Sequence, residues 1–256
     1  MSNKFYDLGN AEIFSTWCFN LEYKQIPSEV IDKIKLIFMD SLGLIFASRN
    51  EDYIKAIKQS FTDSGNCTVP GHLEKLCPSD AIVLNGTAIH GEDFDDTFEG
   101  TPVHVGSVMC SSLLTAAEYY KLEPKEILKG LAVGSELMCR LALVSPMAIH
   151  KQGFHPTAIL GAFGASIGIS KILKNSVLQT TSSLGIVGSM ASGIIEYLAE
   201  GTWTKRLHPG WAGASGWKSA HLGKNNFKGP RTVFDGKNGI FNSCLLYTSD
   251  AADDHH

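Results

Sequence analysis

Apolar residues return at helical spacing along most of this chain. From Pro27-Ser28-Glu29 onward, Val30, Ile34, Ile37, Leu42 and Ile45 recur at intervals near one helical turn. Ser28 has the side chain of an N-cap. A second run starts at Ser79-Asp80 and passes through Ile82, Val83 and Ile89, and a third covers about 107–120. Glu123-Pro124-Lys125-Glu126 puts a proline where a first helical turn accepts one, and predicts a helix to about Leu143. Two more helices are expected over 157–173 and 176–199. Strand alternation is rare, with a weak candidate around Cys67 to Val69. The expected fold class is all-α.

Small residues sharpen this picture. Gly161, Ala162, Gly164, Ala165 and Gly168 fall on nearby faces of one predicted helix, and Gly185, Gly188, Ala191 and Gly193 do so in the next. Each glycine inside a helix costs up to ~1 kcal/mol against alanine. Such a density predicts a compensating gain, namely backbones that pack at close range. A phosphate loop is not indicated, because no strand precedes these glycines and no GK[ST] follows them.

Composition narrows the function classes. The chain has 256 residues, 44% hydrophobic and 19% charged, with a net charge of −4. That excludes bulk disorder and argues against nucleic-acid or membrane-surface partners. The longest uncharged stretch, Ser176 to Ile195, is too polar for a spanning helix. Six scattered cysteines with no CxxC pair indicate neither a zinc site nor a disulfide framework. The N-terminal 30 residues show no secretory pattern, and the expectation is a soluble cytoplasmic protein.

Three segments hold the candidate chemistry. The first, His90-Gly91-Glu92-Asp93-Phe94-Asp95-Asp96-Thr97, carries four acids in five positions, which repel one another unless something offsets them. Were it helical, His90, Asp93 and Thr97 would share a face. Within it, Asp95 to Glu99 spells DDxxE, the metal pattern of magnesium-dependent all-α prenyl-diphosphate enzymes, but no second acidic motif follows. His104 lies just beyond, in a loop. The second segment is Gly153-Phe154-His155-Pro156-Thr157. Its proline holds His155 extended at the start of a helix, beside a natural anion site. The third, Gly201 to Gly210, holds Lys205-Arg206-Leu207-His208 as a cationic turn flanked by Trp203 and Trp211, suited to a substrate with several carboxylates.

In order and wording these segments resemble the MmgE/PrpD family. The matching pieces are LNGTA (84–88) leading into HGEDFDDT, then GFHPT, TKRLHPG and FKGPRTVFDGKNG (227–239). The helix from Pro27 to Leu44 also fits, and the resemblance covers nearly all of 5–243. One departure is Val105 after His104, where many relatives have proline.

The resemblance implies a helical domain that is followed in the family by an α+β lid, absent here. It implies a homodimer that uses no metal or organic cofactor. It implies a lyase, either dehydratase or decarboxylase, acting on a small polycarboxylate such as 2-methylcitrate or cis-aconitate. An epimerase of the same family, a magnesium-dependent prenyl-diphosphate enzyme and an inactive helical dimer are the competing expectations. The implied site comprises Asp93, His104, His155 and Lys205 as catalytic groups and Thr97 as a hydrogen-bond donor. A neutral histidine can act as base near pH 7. Lys205 would balance charge in the transition state. Arg206 and His208 are expected on the substrate side, supporting Lys205. Asp95 and Asp96 are expected to hold the loop through backbone amides, and His90 to be structural. Finally, Cys244 to Asp254 back-translates readily to a sequencing adapter, so the native helical domain is expected over 1–243 and a non-native tail over 244–256.

Overall fold

The computed structural model describes residues 8–144 and 146–245. Most of the adapter-like stretch therefore lies outside the described residues. Twelve α-helices are present among the latter: α1 (Asn10–Asn20), α2 (Ser28–Ser48), α3 (Asp52–Ser60), α4 (Pro78–His90), α5 (Val105–Tyr120), α6 (Pro124–Val144), α7 (Ala148–Lys151), α8 (Pro156–Ile172), α9 (Val177–Gly188), α10 (Tyr197–Glu200), α11 (Thr204–Lys224) and α12 (Ile240–Leu245). A short antiparallel hairpin, β1 (Ser64–Thr68) and β2 (Lys75–Leu76), sits between α3 and α4. The fold class is all-α, as the periodicity predicts. No helix of the described residues is long and apolar enough to cross a membrane.

Two helices form the centre. Every residue of α8 except Lys171 is buried, as expected of a helix that is apolar on all sides. Its partners are α6 and α11, and α11 in turn packs on α4 and α9. These crossings use the glycines. A Cβ on Gly164 would lie 2.9 Å from the Gly134 carbonyl oxygen, and one on Gly86 would lie 2.5 Å from the Gly210 Cα. Both distances forbid a side chain, so absent methyls set the spacing of α8 against α6 and of α4 against α11. Lys171, the polar exception, donates to the Cys18 and Phe19 carbonyls, a cation on the last turn of α1.

Three expectations change. Ser28 begins α2 without a side-chain cap bond, Pro27 occupying the cap position. The helix expected over 176–199 ends at Gly188. The chain then crosses in extended form, pairing Ile194 with Phe154, and Gly193 takes a φ of +132° that favours glycine. The cationic segment expected as a turn is instead the start of α11, with Pro209 inside the helix. Proline there removes one intrahelical bond, the one to the Lys205 carbonyl.

Candidate active site

Four chain segments converge where α4 ends and α5, α8 and α11 begin. α4 stops at His90. The following loop turns on Asp93, whose φ of 59° is unusual for a non-glycine residue and tolerated by aspartate. The HGEDFDDT segment is therefore not helical past His90. Asp96 accepts the Gly106 N–H at 2.8 Å, tying the loop to the first turn of α5, as expected. His104 occupies the N-cap position of α5. Its backbone N–H donates to Thr157 Oγ1 of α8 at 3.1 Å. His155 caps α8, and its N–H donates to the Gly193 carbonyl at 2.8 Å.

The side chains meet in two linked groups. In the first, His90 Nδ1 lies 2.9 Å from Asp95 Oδ2, and His104 Nδ1 lies 3.2 Å from Asp95 Oδ1. One carboxylate thus faces two imidazoles. Asp93 Oδ1 receives Lys205 Nζ at 2.5 Å and lies 3.9 Å from His104 Nε2. In the second group, His155 Nδ1 is 3.1 Å from His208 Nδ1. The His90 ring joins the two, with its centroid 4.6 Å from His104 and 5.7 Å from His155. Tyr197 stands edge-on to His155 and His208 at 6.0 and 5.7 Å.

Helical geometry explains why α11 serves both groups. Lys205 and His208 are three apart and share a face, so one reaches Asp93 and the other His155. Arg206, one position along, points elsewhere. Its guanidinium lies over the Tyr53 ring at 4.4 Å, and Tyr53 donates to Glu92 at 2.9 Å. Arg206 therefore braces α3 and the acidic loop.

Electrostatics separates the imidazoles. Burial pulls the His104 pKa down, but the adjacent Asp95 carboxylate outweighs it and leaves the value raised. Burial also pushes Asp95 up, and the close approach of His104 together with the hydrogen bond from His90 reverses this, holding it well below the usual carboxylate range. His155 has no carboxylate partner. Burial, together with the neighbouring His90 and His208, pushes it down to about 2. His208 is lowered to about 4, mainly by burial. Asp93 is raised by burial and lowered more strongly by Lys205, ending below its ordinary value. The site therefore holds His104 biased toward its charged form, a neutral His155 at neutral pH, and Lys205 beside the exposed Asp93 carboxylate.

Of the residues expected from sequence, Asp93, His104, His155, Lys205 and His208 come together. Arg206 supports from outside. Thr97 is exposed and lines a separate cavity of about 800 Å³ between α2 and α6, with Glu29, Lys33 and Arg140. His208 meets His155 rather than Lys205. Sequence reasoning missed the bridging part of Asp95, the membership of His90 and the presence of Tyr197. No signal distinguishes Asp95 from its acidic neighbours. The wrongly extended helix over 176–199 hid Tyr197. The DDxxE stretch does not gather its carboxylates. Asp95 faces imidazoles, Asp96 binds an amide and Glu99 is exposed. The groups able to surround a divalent ion are instead His90, Asp93, Asp95 and His104, whose ligand atoms lie within 4.8 Å of one another. Their negative charge is already opposed by Lys205.

Comparison with known proteins identifies the family. Residues 12–251 match the family model of the MmgE/PrpD N-terminal domain. A cis-aconitate decarboxylase-like protein of Aspergillus oryzae is 30% identical over 237 residues, which cover 88% of this chain and 49% of that protein. The cis-aconitate decarboxylases of Mus musculus and Homo sapiens are each 30% identical, covering 88% of this chain and 47% and 48% of their own lengths. The chain thus spans about half the length of the curated relatives it matches. Given a family model matched over nearly the whole sequence, the chain belongs to the MmgE/PrpD family.

Proposed function

We propose that this chain carries the proton-handling part of a lyase site that decarboxylates or dehydrates a small polycarboxylic acid, with a cis-aconitate-like tricarboxylate as the leading substrate class. The observation behind this reading is a pair of imidazoles driven in opposite directions within one site, His104 raised and His155 lowered. Two titratable groups split in this way supply an acid and a base. The names of the relatives favour decarboxylation.

In that reaction the bond between a substrate carbon and its carboxylate carbon breaks, and CO2 leaves. The electron pair stays delocalised in the remaining acid, where the Lys205 ammonium balances it. His104 gives its proton to the carbon and is recharged from water. In a dehydration, His155 takes the proton from carbon while His104 protonates the departing hydroxide. Asp93 positions Lys205, and Asp95 keeps His104 charged. This reading gives Thr97 no role. The protein is taken to be a cytoplasmic homodimer that needs no organic cofactor.

The test uses the full-length protein with cis-aconitate and 2-methylcitrate, with and without EDTA, and follows products by NMR. Loss of CO2 or water is expected in both conditions. Lys205→Ala should lower turnover of either substrate, and His155→Ala that of the dehydrated one, by roughly 10²-fold or more, with the unfolding midpoint little changed. Undiminished turnover in both variants would sink the assignment. Inversion at a carbon with no loss of mass would reassign the protein as an epimerase. Dependence on Mg²⁺ would favour the diphosphate chemistry.

A further inference from the structure

The His155–His208 contact constrains where protons can sit. Two neutral imidazoles whose Nδ1 atoms lie 3.1 Å apart can share one proton between them, so only one ring carries its hydrogen at Nδ1. His155 is held from several sides. Its backbone N–H is fixed by Gly193, and its ring is packed by His90 and Tyr197. His208 is fixed to α11 and backed by Gly193, where a Cβ would fall 3.3 Å from its Nδ1 and 2.6 Å from the Ala158 Cβ. The missing side chain leaves the space His208 needs. Together with Gly193, His208 lines a cavity of about 480 Å³ shared with Ser192, Tyr197, Glu196, Glu200 and Thr204.

We propose that His208 is a positioning residue: it accepts the Nδ1–H of His155, fixes that ring in the tautomer whose Nε2 carries a lone pair, and links it to the glutamate-lined cavity. This rests on the dehydration reading, in which His155 is the base, because a base needs its reacting nitrogen free of hydrogen. His208 then bears its own proton on Nε2. A proton taken by His155 at Nε2 is relayed from its Nδ1 to His208 Nδ1, and His208 releases its Nε2 proton to water in the cavity. No net charge stays in the buried pair, and it resets between turnovers when His155 loses its Nε2 proton to water, His208 returns the shared proton to His155 Nδ1, and cavity water reprotonates His208 at Nε2.

The experiment separates the tautomer from the activity. Long-range 1H–15N spectra of the 15N-labelled chain report which ring nitrogen of His155 is protonated, without any substrate. The wild type should show a single Nδ1–H form. His208→Ala should spread His155 over both tautomers, and added imidazole, fitting the vacated space beside the cavity, should restore the single form. His208→Phe keeps the ring volume and serves if the alanine variant does not fold. It should show the same spread with no response to imidazole. A wild-type His155 protonated at Nε2, or one unaffected by either substitution, overturns the proposal. In the full-length protein, His208→Ala should lower kcat by roughly 10-fold or more, leave KM nearly unchanged and regain activity with imidazole. If the wild type turns over no polycarboxylate, the functional reading fails while the spectra still decide the tautomer.

Discussion

Asp95 is the residue on which the site's charge pattern depends. It is almost wholly buried and contacts two imidazoles. Asp95→Asn keeps the shape but removes the charge that holds His104 protonated. Loss of one member of a buried ion pair costs about 3–5 kcal/mol, so urea unfolding of this variant should show a drop of that order, and activity should fall with it. A variant as stable as the wild type would show that Asp95 does not carry this charge. Acid should act in the same direction. His155 at about 2 and His208 at about 4 lie below the ordinary histidine value. Below about 6.5 the unfolded chain binds more protons than the folded one, and stability declines as pH falls. The depressed Asp95 adds stability that is lost only as pH falls through its own low folded value. His104, being raised, gives stability that is present below about 6.5 and lost as pH rises through its folded value. Three lowered rings in the site, His90, His155 and His208, with His72 and His221 lowered elsewhere, against the one raised ring of His104 predict a net loss from pH 7 toward pH 4. Urea midpoints across that range check it, and a flat profile would contradict it. At this scale the sequence was informative where a neighbour constrained the residue. Pro156 marked His155, and the clustered cations marked Lys205. It was silent on Asp95, because four acids within five positions carry no label for which will turn inward.

At the scale of elements, the helices with apolar stripes were legible to within a few residues, α4, α5, α6 and α8 among them. The two segments misread both contribute to the site. Residues 189–196 have the composition of a helix but pair with Phe154 and His155 instead, a contact distant in sequence that no local preference encodes. The α11 start was hidden by Pro209. The glycine crossings, expected from composition, give a clear test. Gly86→Ala forces α4 away from α11, and overpacking of this kind costs about 1–3 kcal/mol. Because α11 carries Lys205 and His208, turnover should fall as well. Gly43 on α2 is also helical and has nothing within 4 Å of its Cβ position. Gly43→Ala should therefore be neutral or stabilise by up to ~1 kcal/mol. Urea denaturation of the pair distinguishes crowding from helix propensity, and equal effects would refute the close-contact account.

Across the whole molecule, apolar surface is left uncovered along α2. Leu36, Met39 and Phe46 are exposed in a row at helical spacing, with Lys33 and Asp40 seven residues apart beside them. A twofold axis would set the lysine of one copy against the aspartate of the other, in keeping with the proposed homodimer. Met39→Glu should shift light-scattering mass toward the monomer, and an unchanged mass would remove α2 from the interface.

A single carboxylate serving two rings has one more consequence. His90 Nε2 is buried without a partner, and its ring lies against both His104 and His155. A guest that brings several negative charges to this place makes additional ring protonation favourable, so binding and hydrogen-ion uptake become one event. The heat of association should then vary with the ionisation enthalpy of the buffer, and calorimetry in phosphate and in Tris would count the hydrogen ions that enter with each guest.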